Sequence, residues 1–286
     1  MFVNNYILLN NKFMKKTNIC IAGNFNLATS CTEFILKKYN NLNIYAVLNS
    51  NDKGKDSFQK SYKKYCNNNN IKIINIEEAY KITGLIFISL HYDKIIKTDN
   101  FVSKKLFNIH FSLLPKYKGM HTTAWPIING EKETGITLHK IDNGIDTGDI
   151  ISQFKFKIKN TDTAQDVFLN YMKYGILVFK KNFNKLLKNN YKHFKQNPIN
   201  SSYYSKKSIN FKKININLNK TAFEIHNQIR GYIFEHYQLP IVKNRKIVKS
   251  KILDSKSNFP PGKIIIKRDK KIIISTIDYN LLLMIK

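Results

Sequence analysis

Apolar runs alternate with stretches of helical periodicity over the first third of the chain. The run from Asn18 to Ala22 ends at Gly23, and apolar side chains then recur at helical spacing as far as Leu36. This pattern predicts a strand followed by a helix. The next predicted elements are strands at 43–48, 71–76 and 84–90 and a helix at 58–65. Strands that alternate with helices indicate a parallel sheet covered by helices, and therefore an α/β fold.

The middle of the chain continues with strands and ends in one long helix. The predicted strands are 106–109, 134–141 and 149–158. Thr163 is followed three residues later by Asp166, a capping-box pattern that predicts the start of a helix. Apolar residues at helical spacing extend this helix to Leu186.

The pattern changes after about residue 195. The segment QNPINSSYYSKKS, residues 196–208, is polar and rich in turn-forming residues, which predicts a linker over the surface. Beyond it, short strands are predicted at 263–266, 272–277 and 281–285. We therefore expect a large α/β domain over 14–195 and, over 196–286, the linker followed by a small β-rich domain.

The start of the chain predicts an extension without a function of its own. Met14 stands just before the first predicted strand, so we expect the folded part to begin there and residues 1–13 to be disordered. The opening stretch carries its charges after its apolar part and has no small-residue cleavage site, unlike a signal peptide. No apolar run is long enough to cross a bilayer, so no membrane association is expected.

Composition narrows the class of protein. Hydrophobic residues make up 43% of the 286 residues, which indicates a folded core and not a disordered chain. Three cysteines, Cys20, Cys31 and Cys66, have neither disulfide nor metal-ligand spacing, which favours a reducing compartment and a cytoplasmic location.

The formal charge of +29 raises the possibility of nucleic-acid binding. The excess is nearly all lysine, because Arg230, Arg245 and Arg268 are the arginines of the chain, and the lysines are spread through every segment. Arginine is the residue that binds phosphates and bases in bidentate fashion. An AT-rich coding sequence explains the lysine excess without any function, so no nucleic-acid partner is expected. The charge should still attract anionic substrates.

A nicotinamide cofactor is excluded by the turn after the first strand. The segment GNFNLA, residues 23–28, has one glycine, whereas dinucleotide binding requires two further glycines for the pyrophosphate.

The densest polar cluster follows the strand at 106–109. Asn108 and His110 are two residues apart at its carboxyl end, so both side chains project to one side, at the edge where open α/β sheets bind ligands. A histidine there is suited to take a proton from an attacking amine, and an asparagine amide can donate to an oxyanion. Asp146 lies between Gly144 and Gly148, in a loop that could bring its carboxylate to the imidazole. Each residue alone is typical of a structural role, and only their combination points to catalysis.

Two motifs resemble one enzyme family. N-I-H-F-S-L-L-P-K-Y-K-G, residues 108–119, resembles the N-x-H-x-S-L-L-P-x-Y-R-G signature of the folate-dependent formyltransferases, with Lys118 in place of the usual arginine. G-I-D-T-G-D-I-I, residues 144–151, resembles the second signature of that family. The resemblance covers roughly residues 15–190 and implies a Rossmann-like formyltransferase domain with Asn108, His110 and Asp146 as the catalytic triad.

The resemblance also implies the donor and its pocket. The donor would be 10-formyltetrahydrofolate, with no metal, and the enzyme would be a homodimer. The pterin pocket of the family is lined largely by backbone after the fourth strand and before the catalytic aspartate. These regions correspond here to 92–96 and 142–146, and the candidate cofactor-binding residues are Tyr92, Lys94, Ile96 and Asp142. Candidate contacts to an anionic acceptor are Lys116, Tyr117 and Lys118.

The sequence indicates the substrate that accepts the formyl group less clearly than it indicates the donor. In this superfamily it is the initiator methionyl-tRNA, glycinamide ribonucleotide or a nucleotide-linked amino sugar, and the C-terminal segment disfavours the glycinamide enzymes. DKGKDSFQKSYKKY (52–65) and IRGYIFEHYQLPIV (229–242) resemble segments of the sugar N-formyltransferases of surface-polysaccharide, including O-antigen and lipopolysaccharide, pathways. We therefore expect a dTDP-linked 3-amino or 4-amino dideoxy sugar, or GDP-perosamine, as acceptor. A methionyl-tRNA formyltransferase and a non-catalytic RNA-binding protein on the same fold remain the alternatives.

Overall fold

The computed structural model describes residues 16–286, which form two compact units, one up to Phe107 and the other from Asn108 to Lys286. The proposed extension at 1–13 and the proposed start at Met14 lie outside the described residues. The predicted division between residues 195 and 196 falls within the second unit.

The first unit is built on parallel strands. Its elements are β1 (Thr17–Gly23), α1 (Phe25–Lys38), β2 (Leu42–Leu48), α2 (Tyr62–Asn68), β3 (Lys72–Ile73), α3 (Ile76–Tyr80) and β4 (Ile86–Leu90). The four strands lie in the order β3-β2-β1-β4, and each adjacent pair is parallel. Gly23 ends the central strand β1 at a point where any Cβ would collide with the carbonyl of Leu90. The predicted βαβ pattern of this region is therefore confirmed.

The helix predicted at 58–65 begins later, at Tyr62. Asp56 accepts a hydrogen bond from the N–H of Ser61 (2.9 Å), and the Ser61 hydroxyl in turn accepts from the N–H of Lys64 (3.1 Å). These side chains satisfy backbone donors that would otherwise be paired inside a longer helix, so Ser61 is the N-cap. The spacing of apolar residues does not predict such caps.

The strand predicted at 71–76 is also shorter in the structure. Asn75 accepts from the N–H of Glu78, and the Glu78 carboxylate accepts from the N–H of Asn75, both at 2.8 Å. This capping box starts α3 at Ile76, so the β-strand ends at Ile73.

The second unit begins within a strand and continues with an antiparallel pair and the long helix. The elements are β5 (Lys105–His110), which crosses the boundary, β6 (Lys118–Gly119), α4 (Trp125–Ile128), β7 (Glu133–Lys140), β8 (Ile150–Lys157) and α5 (Ala164–Leu187). β7 and β8 are antiparallel. Thr163 and Asp166 form the predicted capping box at the start of α5, because each side chain bonds to the backbone N–H of the other.

The C-terminal part is an antiparallel sheet with one helix. Its elements are β9 (Tyr203–Tyr204), α6 (Ala222–Tyr232), β10 (Ile241–Val242), β11 (Arg245–Lys256), β12 (Ile264–Arg268), β13 (Lys271–Ile274) and β14 (Tyr279–Ile285). The sheet order is β10-β11-β14-β13-β12. Ile225 and Ile229 of α6 are buried in one apolar cluster with Ile247, Ile272 and Leu281. The predicted β-rich domain is confirmed, whereas α6 and β11 were not predicted.

Helix α6 is tied to the turn that precedes α5 by two buried side chains. The Arg230 guanidinium donates to the carbonyls of Lys159 (3.2 Å) and Asp162 (2.9 Å). His226 bonds through Nε2 to the carbonyl of Asn160 (2.8 Å) and through Nδ1 to Ser250 Oγ (2.7 Å). Burial lowers the pKa of Arg230 to about 10, which still leaves it charged at neutral pH.

We expect Arg230→Met to destabilise the protein by about 2–4 kcal/mol, because the carbonyls of Lys159 and Asp162 lose a buried, charged donor. Arg245→Met, at a partly exposed position in β11, is the matched control and should change stability by less than about 1 kcal/mol. Urea unfolding followed by circular dichroism measures both. Equal midpoints for the two variants would contradict a stabilising role for the Arg230 contacts.

Candidate active site

Strand β5 presents two polar side chains on one face. Asn108 and His110 are alternate residues near its carboxyl end, and His110 is buried while Asn108 is partly exposed. Phe107 and Ile109 are buried and hold the strand in place. The sequence-based expectation that both polar groups share a side agrees with this geometry.

The loop 141–149 between β7 and β8 carries Asp146. Asp142 shapes this loop, because its Oδ1 accepts from the N–H of Gly144 (3.2 Å) and from the hydroxyl of Thr147 (2.6 Å). Asp146 itself has a φ of 55°, a left-handed conformation that few residues with a Cβ adopt. A Cβ at Gly148 would collide with the carbonyl of Lys140, so the end of the loop requires glycine.

The carboxylate of Asp146 lies between the polar groups of the neighbouring strands. Its Oδ2 is 3.4 Å from His110 Nδ1 and accepts from the N–H of Gly119 at 2.8 Å. Its Oδ1 accepts from Asn108 Nδ2 at 3.3 Å and is 3.6 Å from His139 Nε2. The structure thus brings Asn108, His110 and Asp146 into one contact network.

His139 is a member of this network that the sequence analysis missed. It lies near the carboxyl end of β7, is buried, and receives a contact from Asn108 Nδ2 at 3.1 Å. Its Nδ1 lies 2.6 Å from the carbonyl of Lys140, so Nδ1 carries the hydrogen and Nε2 accepts from Asn108. A second histidine at the end of a predicted strand was the available signal.

The same reasoning fixes the tautomer of His110. Its Nε2 lies 2.8 Å from the carbonyl oxygen of Tyr117, which can only accept, so Nε2 carries the hydrogen. Nδ1 is therefore the atom with a free lone pair, and it faces Asp146. A proton arriving at Nδ1 would be stabilised at once by that carboxylate.

Burial and charge set the protonation states of the pair. Burial lowers the pKa of His110 below its ordinary value, although Asp146 and the Tyr117 carbonyl act in the opposite direction. Burial alone would raise the pKa of Asp146, but His110, His139 and the N–H of Gly119 outweigh it and hold the pKa well below its usual range. At neutral pH the site therefore contains a neutral imidazole next to a carboxylate.

The Tyr117 carbonyl is held in place by the linker (residues 196–208). The N–H of Tyr117 donates to Ser202 Oγ (2.8 Å), and the N–H of Lys118 donates to the Ser202 carbonyl (2.9 Å). The ring of Tyr204 stacks on the ring of Tyr117 (5.7 Å between centroids) and on that of Trp125 (4.4 Å). The segment predicted to cross the surface thus packs against the backbone that orients His110.

The candidate cofactor-binding residues lie in two separate segments. Tyr92, Lys94 and Ile96 follow β4 in the first unit, where burial raises the pKa of Tyr92 to about 12 and Lys94 is exposed. Asp142 lies in the second unit, where its side chain forms the turn described above. Their role as cofactor-binding residues remains a prediction.

The residues proposed to contact the acceptor substrate differ in the partners that they already have. Lys116 Nζ is 3.3 Å from Glu131 Oε1, and the Tyr117 hydroxyl donates to the same oxygen at 2.9 Å. Lys118 lies in β6, where it pairs with Tyr203. Glu131 thus already compensates part of the positive charge that was expected to attract a pyrophosphate.

Between residues 16 and 286 the structure has no group of three or more histidine, cysteine, aspartate or glutamate side chains placed to hold a metal ion. Nor is any helix of this region long and apolar enough to cross a membrane.

Two family models match the chain. The formyl transferase model matches residues 40–174, which include the whole polar network, and the formyl transferase C-terminal domain model matches residues 209–285.

Two relatives differ in how much of their own length the match covers. The methionyl-tRNA formyltransferase of Clostridioides difficile (strain 630) is 30% identical over 287 residues, which is 93% of this chain and 90% of that protein. The bifunctional polymyxin resistance protein ArnA of Wigglesworthia glossinidia brevipalpis is 37% identical over 167 residues, 58% of this chain. The match covers only 25% of ArnA.

Two solved structures are similar over nearly their whole length. WlaRD, a sugar 3N-formyl transferase crystallised with dTDP and 5-N-formyl-THF, is 49% identical with a TM-score of 0.88, over 94% of this chain and 97% of its own. The N-formyltransferase of Helicobacter canadensis, in complex with folinic acid and dTDP-3-aminofucose, is 46% identical with the same TM-score, over 94% and 100%. These matches and the family models place both halves of the chain in one family, and the protein is a member of the formyltransferase family.

Proposed function

We propose that this protein transfers the formyl group of 10-formyltetrahydrofolate to the 3-amino group of a dTDP-linked amino-dideoxy sugar. The observation that carries the proposal is the similarity, at 46–49% identity over 94% of the chain, to two sugar N-formyltransferases crystallised with dTDP or a dTDP-3-amino sugar. The sequence analysis left 3-amino, 4-amino and GDP-linked sugars open, and these two structures favour the first.

His110 and Asp146 supply the proton chemistry that amide formation requires. As the neutral amine attacks the formyl carbon, its nitrogen becomes cationic and must lose a proton. His110 Nδ1 accepts that proton, either directly or through one water. Asp146 then faces an imidazolium at 3.4 Å and stabilises it.

Asn108 is proposed to donate to the oxyanion of the tetrahedral intermediate. The N–H groups of its Nδ2 point to His139 Nε2 and Asp146 Oδ1 in this structure. Donation to an oxyanion therefore requires Asn108 to release one of these two acceptors. When His110 becomes charged, Asp146 has a stronger partner in the imidazolium, which makes that release easier.

Each of the two segments proposed for the donor carries an exposed isoleucine. Ile95, in the segment after β4, is 76% exposed, and Ile145, next to Asp146, is 40% exposed. An apolar ring that lies on either side chain would remove that side chain from water. Each belongs to one of the two segments that the family resemblance assigns to the donor.

The setting of the reaction follows from its product. A formylated dTDP-sugar is an activated glycosyl donor, so we place the enzyme in surface-polysaccharide synthesis, where glycosyl transfer consumes it. A homodimer and a cytoplasmic location belong to the same proposal. The alternative of a non-catalytic RNA-binding protein is disfavoured, because a buried carboxylate between two histidines is costly to keep without a function.

A panel of acceptors tests the proposal. With 10-formyltetrahydrofolate as donor, we expect turnover of a dTDP-3-amino-dideoxy sugar at least about 100-fold above dTDP-4-amino, GDP-4-amino and charged initiator methionyl-tRNA acceptors, which corresponds to about 2.7 kcal/mol of discrimination. Release of tetrahydrofolate and mass spectrometry of the product measure it. Preferential formylation of the tRNA would instead identify a methionyl-tRNA formyltransferase.

Replacing the proposed catalytic residues should remove turnover and leave the fold intact. We expect Asn108→Ala, His110→Ala and Asp146→Asn each to lower kcat by about 100-fold or more, because each removes a group that acts in the transition state. His236→Gln, at an exposed position, is the control. Near-normal kcat for both Asn108→Ala and His110→Ala would refute this mechanism.

The protonation of His110 can be followed directly by NMR of histidine-labelled protein. Because burial lowers its pKa, we expect His110 to titrate below the ordinary value of about 6.5 and to be neutral at pH 7. The charge of Asp146 favours the imidazolium, so Asp146→Asn should shift the titration of His110 to still lower pH. A wild-type pKa above 6.5 would contradict the assigned neutral base.

A further inference from the structure

The loop that carries Asp146 is held from outside by a residue of the linker. The side-chain amide of Gln196 donates through Nε2 to the carbonyl oxygens of Asp146 and Gly148, both at 2.8 Å. Both acceptors are backbone carbonyls, which cannot donate, so the amide nitrogen must face them. Gln196 therefore uses both of its N–H groups on this one loop.

The loop needs such an anchor. Asp146 has a φ of 55°, in the left-handed region that is unfavourable for a residue with a Cβ. Gly144 and Gly148 on either side leave the backbone free to move to other conformations. If Asp146 relaxed to a negative φ, its carboxylate would turn away from His110 Nδ1 and from the N–H of Gly119.

Gln196 is not explained as a residue that simply stabilises the fold. Its Oε1 is buried and has no hydrogen-bond partner among the described residues. A buried acceptor without a partner is unfavourable, and a methionine of similar length would not bury one. The position thus retains an amide for its two N–H groups despite its unsatisfied oxygen.

The backbone next to Gln196 is fixed as well. Two residues before it, Phe194 exchanges both backbone hydrogen bonds with Ile150, at 2.9 and 3.0 Å. Ile150 is the first residue of β8, immediately after the loop. Gln196 therefore reaches the loop from a backbone that is itself paired to the adjoining strand.

We propose that Gln196 is a positioning residue for formyl transfer, which holds the Asp146 loop in the conformation that places the carboxylate against His110. The proposal rests on the proposed role of Asp146 in catalysis. Within residues 16–286 the side chain of Gln196 bonds to the loop backbone alone, so it acts through Asp146.

The test compares Gln196→Met, which keeps the length and loses both donors, with Gln196→Glu, which sets a carboxylate against two carbonyls. We expect kcat to fall by about 10-fold to 100-fold in Gln196→Met and by more in Gln196→Glu. The KM for each substrate should change by less than about threefold. Gln238→Met is the control, since Gln238 Nε2 also bonds a backbone carbonyl, that of Tyr232, far along the chain from the loop.

The titration of His110 distinguishes positioning from a general loss of folded protein. In Gln196→Met we expect the His110 pKa, measured by NMR, to shift lower than in wild type, because the imidazolium loses its partner. Unchanged kcat, or a lower kcat with an unchanged His110 titration, would overturn the proposal. If Gln196→Met does not fold, Gln196→Ser, which adds no bulk, is measured in its place.

The NMR measurement needs no acceptor, so it separates this proposal from the proposed function. A wild-type protein that formylates none of the acceptors refutes the proposed function. An unshifted His110 titration in the variant refutes the role of Gln196, whatever the acceptor is.

Discussion

A carboxylate removed from water keeps its charge only if enough donors surround it, and this constraint organises the second unit around Asp146. The side chain of Asp146 is 13% exposed, and its hydrogen-bond donors are Asn108 Nδ2 of β5 and the N–H of Gly119. The ends of elements that are distant along the chain are thereby tied to one group. Burial lowers the pKa of the neighbouring His110 imidazole, which is therefore neutral at neutral pH.

The sequence predicted the part of the site that lies in short, contiguous motifs. Asn108, His110 and Asp146 follow from residue type and strand register, together with the family resemblance. His139 was missed although its place at the end of a predicted strand was a signal, because its contact with Asn108 spans 31 residues. Gln196 lies 50 residues from Asp146 along the chain, and no local pattern indicates that contact. The backbone carbonyl of Tyr117, which decides the tautomer of His110, has no side-chain signature at all.

The fold shows a similar division between what periodicity predicts and what individual side chains decide. The parallel strands of the first unit and the long helix α5 follow from apolar spacing and one capping box. The start of α2 and the end of β3 depend on Ser61 and Asn75, whose hydrogen bonds override the apolar pattern. In the segment 229–242, Arg230 and Gly231 have packing roles, because a Cβ at Gly231 would press on Ile128. The resemblance of that segment to sugar enzymes therefore carries less weight for the acceptor than the match over the whole chain.

The contacts of the linker have a consequence for building hybrid enzymes. Residues 196–204 supply Gln196, Ser202 and Tyr204 to the loops that carry Asp146 and Tyr117, so this stretch packs with those loops although it leads into the C-terminal sheet. A chimera of two relatives joined at residue 195 would mix these contacts from different parents. A junction placed after residue 208 keeps these contacts within one parent. C-terminal domains should therefore be exchanged at a boundary after the linker.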